Sequence, residues 1–247
     1  MDENISNVII GRNPVIELLK SGRDVDKIFI NRGEHEGSIK LIIAEAKKKN
    51  IPILEVEKAK LNSLSEGASH QGVAAIAADI TYADVDDLIS NAESKGEKPL
   101  IIIADGIEDP HNLGAVIRTA ECAGAHGLII PKRHSAGVTQ VVSKAAAGAL
   151  EYLPVAKVPN LTQTVNYLKE KGLWIFAAET GGEDYLKCDY NVPMALVLGG
   201  EGKGISRFLG ENCDYTVTVP IYGKINSLNV SNAAAVILYE IVNQRRK

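Results

Sequence analysis

Residues 195–198 (Ala-Leu-Val-Leu) carry no polar side chain on either face of an extended chain. A strand of that kind has to be covered on both sides, which places it inside a parallel sheet flanked by helices. Gly199, Gly200, Gly202 and Gly204 follow directly. Glycine permits turns at positive φ and lets another group approach the main chain. A second polar loop spans 219–231, and its Ser227, Asn229 and Ser231 suit the capped start of a helix expected over 228–244. Two such loops read either as a small-molecule pocket at strand ends or as a pair of tight turns, and composition leaves both open. Neither standard phosphate loop is present. Lys203 is followed by glycine and Val197 stands where a P-loop needs its first glycine, while Gly200, Gly202 and Gly204 lack the G-x-G-x-x-G spacing.

The rest of the chain alternates in the same way. Strands are expected over 8–10, 27–30, 53–56 and 72–78, with helices over 14–20, 39–50 and 57–65; Gly22 ends the first helix. That is a compact α/β unit over 1–80. Residues 81–98 are polar and acidic, close on Pro99, and read as a helical connector. From 99 to 247 a second α/β domain follows. Strands are expected over 100–104, 127–131, 155–158, 173–178, 195–198 and 216–219. Helices are expected over 113–124 with Asn112 as cap, 138–149, 161–171, 205–210 and 228–244. The stretch 179–191 reads as an acidic loop, and Trp174 as a core residue. On the helix after Asn112, Gly114 leaves open the space in front of Arg118. Arg118 either pairs with Glu121 or is left for a ligand.

Net charge is −4, from 27 basic and 31 acidic residues, which argues against indiscriminate polyanion binding. A nucleic-acid partner would need local basic groups. Arg12, Lys20 and Arg23 near loops of the first unit, and Lys132, Arg133 and His134 after a strand of the second, are candidates; solvated surface charge is the competing reading. His70 and Gln71 form either an RNA contact or a turn. Three scattered cysteines show no C-x-x-C spacing, so neither a disulfide nor a cysteine zinc site is expected, and a cytoplasmic location fits. No run is apolar enough for a membrane span, and the acids of 179–191 lack the spacing of a metal site.

The stretch 112–120, with Asn112 and Arg118, the stretch 194–205, and the stretch 219–231 together resemble, in order, spacing and residue type, the three motifs of the SpoU/TrmH family of RNA ribose methyltransferases. The resemblance implies a SPOUT-type parallel sheet whose C-terminal segment threads a deep trefoil knot, preceded by a small α/β RNA-binding domain. It implies methyl transfer from S-adenosylmethionine to a ribose 2′-hydroxyl, without a metal, by a homodimer whose site is completed across the interface. Arg118, Asn112, Glu201, Ser227 and Asn229 fall at its catalytic positions. Gly199, Gly200, Val219, Ile221 and Leu228 fall at its cofactor positions. The N-terminal module points to a guanosine of 23S ribosomal RNA as target. A tRNA ribose methyltransferase and a non-catalytic RNA-binding protein are the alternatives.

Overall fold

The computed structural model describes residues 8–21, 23–33, 36–65, 68–78 and 81–246, so Gly22 and Lys247 lie outside it. The chain divides into two compact units, one up to residue 80 with 138–140, the other holding 81–137 and 141 onward.

The first unit runs β1 (Val8–Ile10), α1 (Arg12–Ser21), β2 (Val25–Asn31), α2 (Ser38–Lys48), β3 (Ile53–Val56), α3 (Lys58–Ser65) and β4 (Val73–Ala77). Its sheet has the order β1-β4-β2-β3, and only the β2–β3 pair is parallel. Period-two alternation sorts the small residues of β4. Val73, Ala75 and Ala77 join Val15, Leu18, Ile39 and Ile42 on one face, and Ala74 joins Phe29, Leu61 and Leu64 on the other.

The second unit continues with α4 (Val85–Ser94), β5 (Leu100–Asp105), α5 (Pro110–Cys122), β6 (Gly127–Pro131), α6 (Gln140–Ala146), β7 (Val155–Val158), α7 (Leu161–Glu170), β8 (Trp174–Asp184), β9 (Met194–Gly199), α8 (Arg207–Gly210), β10 (Tyr215–Thr218) and α9 (Val230–Arg245). Six parallel strands lie in the order β10-β8-β9-β5-β6-β7. The central strands β5 and β9 carry the apolar runs 100–104 and 194–198, covered on both faces. Ile101, Ile103, Ala195 and Val197 pack with Leu88, Val165, Leu168 and Leu209 from α4, α7 and α8. On the opposite side α9 packs on α5 and β9.

Several expectations need correction. Residues 81–98 do not merely connect: Leu88 and Ile89 of α4 belong to the core of the second unit, and Leu88 packs where a side chain at Gly127 would lie. The expected loop over 179–191 begins as strand, because β8 runs on to Asp184 beside β10, and a 3-10 turn follows at Tyr185–Lys187. Trp174 is 46% exposed and rests on Tyr215 at 5.7 Å between ring centres, at the sheet margin rather than in the core. The helix expected over 138–149 is shorter, ending at Ala146 before a separate 3-10 turn.

The strand entrances at the opposite end of the sheet are tied by buried polar groups. His126 is buried. Its Nδ1 accepts from the Leu100 N–H at 3.0 Å and its Nε2 faces the Glu97 carboxylate at 3.0 Å. Burial lowers its pKa from the ordinary value of 6.5, with Lys95 and Arg245 adding to the drop and Glu97 opposing it. A protonated ring would also aim an N–H at the Leu100 N–H. The stability that neutral His126 contributes is complete above 6.5 and declines as pH falls through the lower folded-state value. His126→Asn keeps an acceptor but no titration. Urea midpoints measured from about pH 7 to about pH 5 should then fall less steeply for the variant than for the wild type; parallel curves would remove His126 as a source of acid lability.

Candidate functional site

Strands β5 and β9 are neighbours in register, with Asp105 opposite Gly199 at their carboxyl ends. The chain leaves β5 for α5, on the α9 side of the sheet, and leaves β9 for α8, on the other side. Between strands that depart to opposite faces a crevice opens, which is where open α/β sheets bind ligands.

The glycine loop is folded against this crevice by its own backbone. The Gly200 N–H donates to the Asp105 carbonyl at 2.7 Å, the Gly204 N–H to the Gly200 carbonyl at 3.0 Å, and the Ser206 N–H to Asp105 Oδ2 at 2.7 Å. A Cβ on Gly199 would sit 2.3 Å from the Gly204 carbonyl carbon, and one on Gly200 would sit 1.9 Å from the Gly106 oxygen. Gly202 and Gly204 hold φ values of 79° and 65°. The missing side chains thus serve first to let two loops interlock, and only then to leave room for a ligand.

Helix α5 is capped by Asp109, whose side chain accepts from the His111 N–H at 2.8 Å, with Pro110 at the first helical position. Asn112 is therefore not the cap. It lies within the first turn, 8% exposed, with its amide directed elsewhere. Asn112 Nδ2 donates to Glu201 Oε1 at 2.7 Å. Asn229 Nδ2 donates to the same oxygen at 2.8 Å and to Asn112 Oδ1 at 3.0 Å. Asn229 caps α9, its Oδ1 accepting from the Ser231 N–H at 2.9 Å and the Ser231 hydroxyl at 2.6 Å. One carboxylate oxygen thus joins the three sequence motifs.

The remaining candidates divide. Arg118 is exposed, about 9 Å further along the axis of α5 than Asn112, and has no hydrogen bond or ion pair among the described residues; no Arg118–Glu121 pair forms. Gly114 does not open space for it. A Cβ there would meet Ala145 Cβ at 2.4 Å, so this glycine lets α6 pack closely on α5. Ser227 is exposed and outside the network. Val219 is half-buried, and Ile221 and Leu228 are exposed apolar side chains on the second loop. Among the described residues no backbone–backbone hydrogen bond involves 221–228. That segment therefore presents apolar side chains together with free main-chain donors and acceptors, which suits a ligand with a flat ring and a polar edge.

A cavity of about 900 Å³ opens beside the network, lined among others by Asn112, Glu201, Arg133, His134, Lys203 and Phe208. Lys132 is exposed and is not part of its wall. In the first unit Arg23 is exposed. Arg12 is held to the turn at Gln71, its Nε donating to the Gln71 carbonyl at 2.9 Å, and Lys20 reaches Glu17 at 3.0 Å. His70 is buried, accepts from the Gly72 N–H at 3.0 Å and meets Asn62 at 3.1 Å, so the His70-Gln71 pair builds a turn. Sequence reasoning missed Asp105 and Asp109 as anchors of the site. The Asp109-Pro110 pair was the available signal for the second.

Comparison with known proteins agrees with this geometry. Residues 99–239 match the model of the SpoU rRNA Methylase family, and residues 8–83 that of RNA 2′-O ribose methyltransferase substrate binding. The Bacillus subtilis protein YacO, named for the TrmH family of tRNA/rRNA methyltransferases, is 44% identical over 96% of this chain and 95% of its own length. The crystal structure of the SpoU methyltransferase AviRb from Streptomyces viridochromogenes, in complex with the cofactor AdoMet, is 25% identical, with a TM-score of 0.62 over 97% of this chain and 90% of that one. The A. aeolicus TrmH/SpoU tRNA modifying enzyme is 31% identical, with a TM-score of 0.56 over 61% of this chain and 77% of its own.

The interlocked glycines make a graded prediction. Gly200→Ala drives a Cβ into the Gly106 carbonyl, a backbone atom that cannot rotate away. It should lower stability by about 3 kcal/mol. Gly202→Ala meets nothing within 4 Å and carries only the cost of its φ of 79°, about 1 kcal/mol. Thermal melts of the two variants should rank in that order, and equal losses would contradict the interlock.

Proposed function

Since the chain belongs to the SpoU/TrmH family of RNA methyltransferases, we propose that it transfers a methyl group from S-adenosylmethionine to the ribose 2′-hydroxyl of a guanosine in 23S ribosomal RNA. The observation that carries this reading is the single hydrogen-bonded cluster of Asn112, Glu201 and Asn229, one residue from each family motif, at the crevice between β5 and β9. The module over 8–83 supports a large structured RNA as substrate.

S-adenosylmethionine supplies a methyl already activated on a sulfonium. The residues suited to hold it are those of the second loop, where Val219, Ile221 and Leu228 give apolar surface and the main chain of 221–228 gives a polar edge, together with Gly199 and Gly200 of the glycine loop. Glu201 fixes both asparagine amides, so Asn112 and Asn229 keep the loops from moving while the ribose is placed in line with the methyl. Orientation of that kind can remove several kcal/mol of barrier. A guanidinium stays protonated and is not a free base. As an exposed guanidinium with no internal partner, Arg118 clamps the neighbouring phosphate and stabilises the developing alkoxide, and Ser227 contacts the ribose. The proton passes to phosphate or water.

Arg118 stands apart from the cluster within one chain, which fits a site completed by a second copy. Helix α9 supports that pairing: besides its buried face it exposes Val236 and Tyr239, close to the exposed Ile225 and Tyr222 of the preceding loop in sequence. The second loop, α9 and the glycine loop are also the segments a trefoil knot would interlace. In the first unit, Arg23 and Arg12 lie on the surface offered to RNA.

Radiolabelled methyl transfer to unmodified 23S, 16S and tRNA transcripts tests the reading. Label as 2′-O-methylguanosine in 23S alone is the expected result. Label in tRNA alone would assign the tRNA specificity named for the A. aeolicus relative, and cofactor binding without label in any RNA would overturn the activity. Arg118→Ala at saturating RNA should lose at least about 100-fold in turnover, with S-adenosylhomocysteine affinity unchanged by calorimetry. Near-normal turnover would remove Arg118 from the chemistry.

A further inference from the structure

Helix α8 carries two adjacent large apolar side chains with opposite fates. Leu209 is fully buried in the core under β9. Phe208 is 75% exposed and forms part of the wall of the 900 Å³ cavity. Burial is what makes a phenylalanine ring stabilise a fold, so a ring left in water at the mouth of a cavity contributes little to folding. Its surroundings are those a nucleotide would match. Pro131, Pro159 and Leu161 add apolar surface, and Arg133 and Lys203 bring positive charge to the same cavity. Four carboxylates also line it; three of them are engaged, and the fourth, Glu108, is exposed. Asp105 accepts from the Ser206 N–H, Asp109 from the His111 N–H, and Glu201 from two amides.

The wall carrying Arg133 is held in place. His134 adopts a left-handed backbone with φ of 58°, uncommon for a residue with a side chain. The turn is tied down where the Ala136 N–H donates to the Ile107 carbonyl at 2.8 Å. An exposed ring and a fixed cationic loop thus line one cavity, which suits a π-face with a phosphate at its edge.

We propose that Phe208 is the platform on which a nucleobase of the RNA substrate stacks, with Arg133 and Lys203 receiving phosphates of the same strand. The assignment rests on the activity proposed above and names how that site grips its substrate. Stacking on an aromatic side chain is tolerant of base identity and is worth about 1–3 kcal/mol per base, so the platform gives grip and placement rather than sequence choice.

The test compares wild type, Phe208→Ala and Phe208→Trp in steady-state methyl transfer to whichever of the 23S, 16S or tRNA transcripts the wild type methylates. S-adenosylhomocysteine calorimetry is run in parallel. Phe208→Ala should lower kcat/KM for RNA about tenfold or more, Phe208→Trp should restore it, and cofactor affinity should stay as in wild type. Unchanged kcat/KM in Phe208→Ala, a tryptophan variant as poor as alanine, or a parallel loss of cofactor affinity would each overturn the platform while leaving the activity standing. A wild type that labels no RNA would overturn the activity and the platform with it.

Discussion

Glu201 Oε1 accepts two amide hydrogens from residues that are far apart in the chain, Asn112 at the start of α5 and Asn229 at the start of α9. A carboxylate oxygen is a stronger hydrogen-bond acceptor than a neutral one. Yet Glu201 sits on a four-glycine loop, a poor place from which to hold anything. The loop is fit for the task because its backbone is already fixed. Gly200 docks on Asp105 and against Gly106, Gly204 folds back on Gly200, and Asp105 reaches over to the Ser206 N–H. The order of dependence is therefore backbone interlock, then carboxylate, then amides, then the two loops those amides belong to.

That hierarchy explains which parts of the molecule could be read from sequence. Strands β5, β6, β7 and β9 were legible because runs such as 100–104 and 195–198 leave no face for water. The motif residues were legible as types, and the resemblance put Asn112, Glu201 and Asn229 in one family, but only the structure brings them onto one oxygen. What failed is equally physical. Asn112 looked like a cap because asparagine favours caps, but Asp109 followed by proline claims the position three residues earlier. Gly114 looked like free space and is instead a contact with α6. Strand β8 looked finished at 178 because 179–184 is polar, and pairing with β10 overrides that composition. The segment 81–98 looked like a connector because it is acidic, while the few apolar residues it has, Leu88 above all, are buried in the core.

The disposition of apolar surface separates folding from function in the second unit. The sheet buries its apolar residues almost completely, with Ile101, Ile102, Ile103, Leu196 and Val197 all at 0% exposure. Among the exposed large apolar residues of this unit, which also include Val141, Tyr152, Trp174, Leu186, Tyr215 and Ile221, one group is close in sequence: Tyr222, Ile225 and Leu228 on one loop, with Val236 and Tyr239 on the helix that follows it; Phe208 lies in the cavity wall. Scattered apolar residues on a surface need no explanation, but a run of them on a loop with unpaired main-chain groups is a surface made for covering. Three coverings are proposed for three places, a cofactor on the loop, a second copy on α9 and a base on Phe208.

A chain with a net charge of −4 that acts on a polyanion has to obtain affinity locally. Long-range attraction is small, and each phosphate contact adds a salt-sensitive increment in proportion to the counterions it releases. Here the cavity offers Arg133 and Lys203 beside four carboxylates, three of which its own backbone and amides engage. Few phosphate contacts mean that stacking, apolar contact and the shape of the RNA must supply much of the binding. Selection by shape suits the ribose methylation proposed above, since every nucleotide presents the same hydroxyl and only the fold of the RNA distinguishes one from another. The weak global charge is then part of how such an enzyme stays specific: it limits the nonspecific adhesion that a basic protein would have for every other RNA.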